Sequence, residues 1–562
     1  MQRLCRNAWC HQPFEITESD LAFYEKVSPV LNGKKELIPP PTLCPTCREQ
    51  RRLVFRNEHF LYPNSSALSG TELISYLSPE KPYKVYAQQE WWNDAWDPMT
   101  YGKEVDMQHP FFGQFNGLLY AVPRMNLLLW QSENCGYCNY VDFCKDCYLT
   151  FGGSNCERVY YSNLTDSVTD SVDLSGCKEC ELCYDSIDCT KCYRAVGAIQ
   201  CKGSTELLCC YDCTNCQECI GCFNLKNKKY CIFNTHYPRD EYFAKKKEFE
   251  VSSDKHYAAV RDRFLQIIRE KAVHRGSNIL QCEECSGDNL TNSRHAEISF
   301  ESNNLEDCKW TSFSMHSRDS YDIFGSSNKG VELAYEGMCI EGKNILGGFY
   351  IAGYDHVFYS DFVVSCSNVF GCAGLKHKQY CILNKQYTEE EYERLVPKII
   401  ERMRADGEWG EFFPIEMSPF AYNETVAQEY FPLTKEEVLE RGWKWRDQKD
   451  EMPKVDRIIP ASQLPDSIDD IPDDILNWAI ECETTKRPFK VIRQELDFYR
   501  KMRLSVPHFH PDERHRRRMA LRNPRKLWNR ECAKCHKPIA TSYSPERPET
   551  VYCEECYLKE VY

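Results

Sequence analysis

Cysteines at the two ends of the chain carry its clearest chemistry. Cys5-x4-Cys10 and Cys44-x2-Cys47 stand near one end, Cys532-x2-Cys535 and Cys553-x2-Cys556 near the other. Each set supplies four thiols as two knuckles, separated by a loop long enough for a hairpin. That is the tetrahedral sulphur set a structural zinc ion requires. Four cysteines fill the coordination shell, so the expectation is two structural zinc sites without the open position of a catalytic one.

A further pattern lies in the middle, where Cys210, Cys213, Cys216, Cys219 and Cys222 recur at every third residue. One reading is an iron–sulfur cluster or an additional metal, since C-x2-C-x2-C is cluster-like spacing. The other is a stack of inward-facing thiols, small apolar fillers of a tight core. The second reading is favoured because a related unit downstream keeps the surrounding motif with far fewer cysteines. Cys282-x2-Cys285 with His295 is a weaker metal candidate.

The ends also repeat each other. PFEITESDLAFYEK from Pro13 echoes PFKVIRQELDFYRK from Pro488, and farther on a constant offset of 466 aligns Arg48, Arg51, Arg52, Arg56 and Asn57 with Arg514, Arg517, Arg518, Arg522 and Asn523. In that register Cys44 and Cys47 meet His510 and Glu513, with Cys482 as a remnant of the first knuckle. Cys532, Cys535, Cys553 and Cys556 meet Ser66, Ser69, Ala87 and Glu90. The termini therefore read as two copies of one two-metal module, each having lost a different site. The arginine spacing puts the side chains mostly on one side of a helix, starting at Cys47 in the first copy as in treble-clef folds. From Lys486 to Lys537 there are 17 Lys and Arg against 5 Asp and Glu. Arg514, Arg516, Arg517, Arg518, Arg522 and Lys526 are accordingly candidate phosphate contacts, because guanidinium forks match phosphate oxygens. The competing reading pairs these arginines within the molecule.

The middle repeats as well. CFNLKNKKYCIFN from Cys222 matches CAGLKHKQYCILN from Cys372 at an offset of 150, and each is followed by a helix start. Strand-sized apolar pieces punctuated by Asn, Asp, Ser and Gly fill both units. The expected fold is a β-rich, multidomain α+β protein: a duplicated β-solenoid of the parallel β-helix kind, flanked by two related zinc-ribbon or treble-clef modules. The expected divisions are 1–130, 131–275, 276–405, a helical and Pro/Asp-rich linker at 406–480 that includes Met452–Asp474, and a basic module at 481–562.

Composition narrows the function. The 562 residues carry 70 Lys and Arg against 84 Asp and Glu, a net charge of −14, which argues against general polyanion binding. The 34 cysteines, without a signal peptide or an apolar run able to span a bilayer, point to a reduced cytoplasmic protein using thiols for metal or packing. No P-loop, dinucleotide fingerprint, HExxH or GxSxG motif occurs.

CPTCREQRRLVFRNE from Cys44, YKVY from Tyr83, WWNDAWD from Trp91, NLKNKKYCIFN from Asn224 and RPETVYCEECY from Arg547 together resemble an uncharacterised zinc-binding family of candidate-phyla bacteria. Its members are sometimes labelled CaiB/BaiF family proteins. The resemblance spans nearly the whole chain and implies zinc-binding architecture without an established activity. The label implies a nucleophilic Asp on an alternating βα fold, and this sequence has neither motif nor alternation. The expectation is a binding scaffold, leaning away from an enzyme, that presents the solenoid surface and Arg-rich helices to RNA, a ribonucleoprotein or a protein. The alternatives are a redox or iron–sulfur protein using the central cysteines, or an enzyme with its site in the solenoid groove.

Overall fold

In the middle of the chain each segment pairs in parallel with the segment twelve residues later. Glu133 pairs with Lys145, Glu157 with Thr169, Thr205 with Gln217 and Gln217 with Lys229. The computed structural model describes residues 1–447 and 453–562. Over this first ladder the core consists of residues spaced by multiples of three, from Cys135 through Val159, Ala195 and Cys213 to Cys231. The period is three and not the two of a flat strand because every third residue from Tyr140 to Phe233 turns the chain through a positive φ. Many of these turning residues are Asn, Asp or Gly, which tolerate that region best.

A second ladder begins with partners eleven residues apart, Ile279 opposite Leu290, and then takes the same register, with Glu306 opposite Arg318 and Ser367 opposite Gln379. Its long strand Ser317–Phe358 serves several passes, as the Lys329–Glu341 ion pair and the Asn344–Asp355 hydrogen bond show. Where the first ladder fills its interior with thiols, the second uses Ile323, Ile340, Ile351, Val357 and Val369. Each ladder ends in an antiparallel hairpin, Lys229–Ile232 with Thr235–His236 and Gln379–Ile382 with Lys385–Gln386. Each is followed by a helix, Arg239–Lys246 or Glu389–Asp406, which buries Tyr242 or Tyr392. The last parallel strand is thereby covered.

The terminal regions share one order of elements. In the first, hairpin Gln2–Leu4/Pro13–Glu15, helix Glu18–Val27, helix Pro45–Leu53, hairpin Tyr62–Ser65/Glu72–Ser75 and helix Gln88–Trp92 follow one another. The last repeats this as Trp478–Glu481/Pro488–Phe489, Arg493–Met502, Pro511–Met519, Trp528–Glu531/Pro538–Thr541 and Glu554–Val561. Val85–Tyr86 of the first pairs with Arg124–Met125, the strand entering the first ladder. Thr550–Tyr552 of the last pairs with Val273–Arg275, the strand entering the second. The chain is thus a β-rich multidomain α+β protein with two large parallel sheets and a four-cysteine group at either end.

The segment expected as a linker differs from expectation. Trp409, Phe412, Phe413 and Tyr422 are buried in the largest apolar cluster, against Phe55, Phe112 and Tyr359. Aromatic side chains at this density pack rather than hang in solvent. Met452, the start of the expected Pro/Asp-rich connection, lies outside the described residues. Among the described residues no helix is long and apolar enough to cross a membrane.

Candidate metal centres

Cys5 ends the first hairpin, its N–H donating to Gln12 O at 2.9 Å, and Cys10 lies in the same turn. Cys44 is the N-cap of helix Pro45–Leu53, so the helix begins at Pro45 and not at Cys47 as expected. Proline at the first helical position stops it there. The backbone N–H of Cys44 donates to Cys5 Sγ at 3.2 Å, and Asn7 Nδ2 donates to Cys47 Sγ at 3.2 Å. All four sulphurs lie within 4.8 Å of one another. A hydrogen bond from Cys47 leads in pulling the Cys44 thiol down to about 5 against burial, and the same bond pushes Cys47 up. Two of the four thiols therefore sit in the opening of a helix whose positive end favours thiolate.

The second centre repeats this construction. Cys532 ends hairpin Trp528–Glu531/Pro538–Thr541 and donates its N–H to Lys537 O at 2.9 Å. Cys553 is the N-cap of Glu554–Val561, with Cys556 in the first turn. These three and Cys535 also have their sulphurs mutually within 4.8 Å. Burial raises the Cys532 thiol, but N–H groups of Cys553, Cys535 and Lys534 outweigh it and bring it to about 6. Either centre has the donor set and the spacing to hold a zinc ion, which would replace the protons of the four thiols.

The two remaining knuckle positions are closed by hydrogen bonds. Ser66 N–H donates to Thr71 O at 2.9 Å, as Cys532 does to Lys537, and Ser66 Oγ donates to the Glu90 carboxylate. Burial raises the Glu90 carboxyl, yet the hydroxyls of Ser66 and Ser69 and the Ala87 N–H hold it below the usual range. At the opposite end Cys482 follows its strand as Cys5 does, with N–H to Arg487 O at 3.0 Å. His510 caps helix Pro511–Met519 where Cys44 caps its own. The Cys482 thiol is brought to about 7, burial being outweighed first by the His510 N–H.

Among the described residues, groups of three or more metal-type ligand atoms this close are the two four-cysteine sets and His59, Glu429 and His515. Cys210, Cys213, Cys216, Cys219 and Cys222 form no such group. They are buried and point into the first ladder. Their thiols donate to carbonyls along and across it, Cys210 to Cys219 O at 3.4 Å and Cys213 to Cys222 O at 3.7 Å. Nor are Cys282, Cys285 and His295 gathered, since His295 faces Asp307 at 2.8 Å. The His–Glu–His group was not legible in the sequence, its members being spread along the chain without a local motif.

No family model and no curated protein matches the chain. Among solved structures the chain is similar to a "putative acetyltransferase" from Desulfovibrio desulfuricans G20, at 8% identity over 51% of this chain and 82% of that one, with a TM-score of 0.10. A likeness at that score carries no argument about fold or activity.

Three of the six expected phosphate contacts are engaged inside the molecule, a correction to the sequence-based expectation. Arg514 and Arg518 are 6% and 1% exposed and share the buried carboxylate of Asp173, and Arg522 pairs with Asp188 and Glu301. A phosphate would have to displace carboxylates already desolvated against these guanidinium groups. Arg516 and Arg517 are exposed and reach back to Glu513 on their own helix at 2.8 and 2.9 Å. Lys526 is exposed, with its ammonium over the Trp528 ring.

Proposed function

We propose that the chain is a zinc-braced binding scaffold. Two structural zinc ions hold two duplicated terminal modules, and each module clamps one of two solenoid units. The twelve-residue register that recurs in both ladders and the core at every third position of the first support reading the ladders as solenoids. The observation that carries the proposal is the double docking of the arginine helices. Arg48 and Arg52 meet Asp322 of the second ladder, and Arg514 and Arg518 meet Asp173 of the first. Helices so engaged act as internal clamps. The partner favoured is a protein bound along the solenoid, because the cations that would draw RNA are largely occupied and the net charge is −14.

Elemental analysis of anaerobically purified protein, with RNA retention measured across a salt series, tests this reading. Two zinc ions per chain that resist a mild chelator, no acid-labile sulphide and no salt-dependent RNA binding are expected. Stoichiometric iron with acid-labile sulphide, or RNA binding that falls steeply with salt and is abolished by Arg516→Glu/Arg517→Glu, would overturn it.

A further inference from the structure

His59 and His515 face each other across the junction of the two terminal modules, ring centroids 4.6 Å apart. His59 follows helix Pro45–Leu53, while His515 lies on the related helix Pro511–Met519. The offset of 466 makes Glu49 the counterpart of His515 and Arg525 the counterpart of His59. The junction therefore brings the same two positions together twice. On one side Glu49 and Arg525 attract as opposite charges. On the other stand two imidazoles, with the Glu58 carboxylate 3.9 Å from His59. Glu429, from helix Val426–Tyr430, completes that second side.

We infer that His59, Glu429 and His515 form a third metal site, for a divalent transition-metal ion of the zinc or iron(II) class. Two imidazoles and one carboxylate suit such ions better than the hard, oxygen-only preference of calcium or magnesium. Glu429 Oε2 lies 3.2 Å from His515 Nε2 and 4.0 Å from His59 Nε2. With metal–ligand bonds of about 2.1 Å, tetrahedral ligands stand roughly 3.4 Å apart. One pair is already at that spacing, and His59 need approach by well under 1 Å. His515 Nδ1 is buried without a hydrogen-bond partner among the described residues, so it is open to carry the ring proton once a metal takes the place of the Nε2 contact to Glu429. Asn163 Nδ2 lies 3.0 Å from His59 Nε2 and 3.4 Å from Glu58, so a metal at that nitrogen would displace the amide toward Glu58. A metal here would join the first module, the last module and the buried segment after the second ladder.

The test uses full-length protein titrated with zinc and, separately, with cobalt(II). The wild type is expected to take three equivalents, the third removed first by a mild chelator. With cobalt the third gives weak visible bands without thiolate charge transfer, which separates it from the all-cysteine sites. Glu429→Gln, which keeps a hydrogen-bonding group beside His515, and His59→Gln should each take two equivalents. Both should also lose the rise in melting temperature that the third equivalent gives, while melting like the wild type once a mild chelator has removed that equivalent. A wild type that stops at two equivalents, or variants that still take three, would overturn the proposal.

Discussion

Asp173 of the first ladder and Asp322 of the second hold the same relationship to opposite ends of the chain. In each, Oδ2 accepts a hydrogen bond from the first arginine of a terminal helix and Oδ1 is in ion-pair contact with the arginine four residues on: Arg514 and Arg518 for Asp173, Arg48 and Arg52 for Asp322. Both aspartates sit at positive φ, 60° and 59°. Both lie beside an aromatic ring under the first arginine, Tyr161 for Arg514 at 4.5 Å and Trp310 for Arg48 at 4.6 Å. The first module thus grips the second ladder and the last module grips the first.

Removing Asp173 leaves Arg514 with Glu495 as its remaining buried carboxylate and takes the close ion pair from Arg518, and removing Asp322 leaves Arg48 and Arg52 sharing Glu336. Asp173→Asn or Asp322→Asn should each destabilise the fold by about 3–5 kcal/mol, read from denaturant unfolding. A loss below about 1 kcal/mol would show that water reaches these arginines.

The exposed arginines should behave differently. Arg516→Ala and Arg517→Ala break contacts to Glu513 at 70% and 44% side-chain exposure, and each should cost no more than about 1 kcal/mol. Thermal melting compared with Arg518→Ala would expose the contrast, and equal losses would contradict the buried clamp.

Metal loss should be local and countable. Cys5→Ser and Cys532→Ser should each lower the zinc content by one equivalent and open one terminal module to protease. Cys482→Ser should leave zinc unchanged, since His510 and Glu513 stand where Cys44 and Cys47 stand in the first module. A fall in metal on changing Cys482 would mean that this knuckle still coordinates.

The ladder thiols should tolerate exchange for hydroxyls. Ser186 and Ser204 occupy the same inward row and donate to carbonyls nine residues ahead, Ala195 O at 3.5 Å and Cys213 O at 3.3 Å. Cys213→Ser should therefore cost about 1 kcal/mol or less and leave metal content unaltered. Cys213→Leu should cost about 1–3 kcal/mol by overpacking. Loss of iron or zinc from Cys213→Ser would revive the cluster reading.

Asp361 supplies a pH test. Burial lifts its carboxyl from the ordinary 3.8 to about 6, against the pull of Arg124 at 2.6 Å. On raising the pH the unfolded chain loses this proton first, so the stabilising contribution of the protonated form, full below about pH 4, is lost as pH passes about 6. Wild type should lose stability relative to Asp361→Asn across that window, and parallel stability curves would place the carboxyl elsewhere.

The knuckle chemistry was legible because ligand spacing is local, and the offset of 466 already set Cys44 opposite His510 before both proved to be N-caps. The period of three was visible only where cysteine marked it, from Cys210 to Cys222. Elsewhere Cys, Ser, Thr, Val and Ala alternate on the inward row, so hydropathy shows no period. The arginine partners were hidden because Asp173 and Asp322 look like ordinary turn residues. His59, Glu429 and His515 converge only through the docking of the modules, which no short-range signal encodes.

The crosswise docking also orders events at the ribosome. Arg48 emerges 274 residues before Asp322, on the order of tens of seconds of synthesis. During that interval the nascent first module carries Arg48, Arg51 and Arg52 without the carboxylates of Asp322, Glu336 and Glu411 that neutralise them in the finished fold. At the far end Asp173 waits 341 residues for Arg514. The chain passes through translation with its opposite charges made at different times. One clamp can shut while synthesis continues, and the other waits until the last module has cleared the exit tunnel.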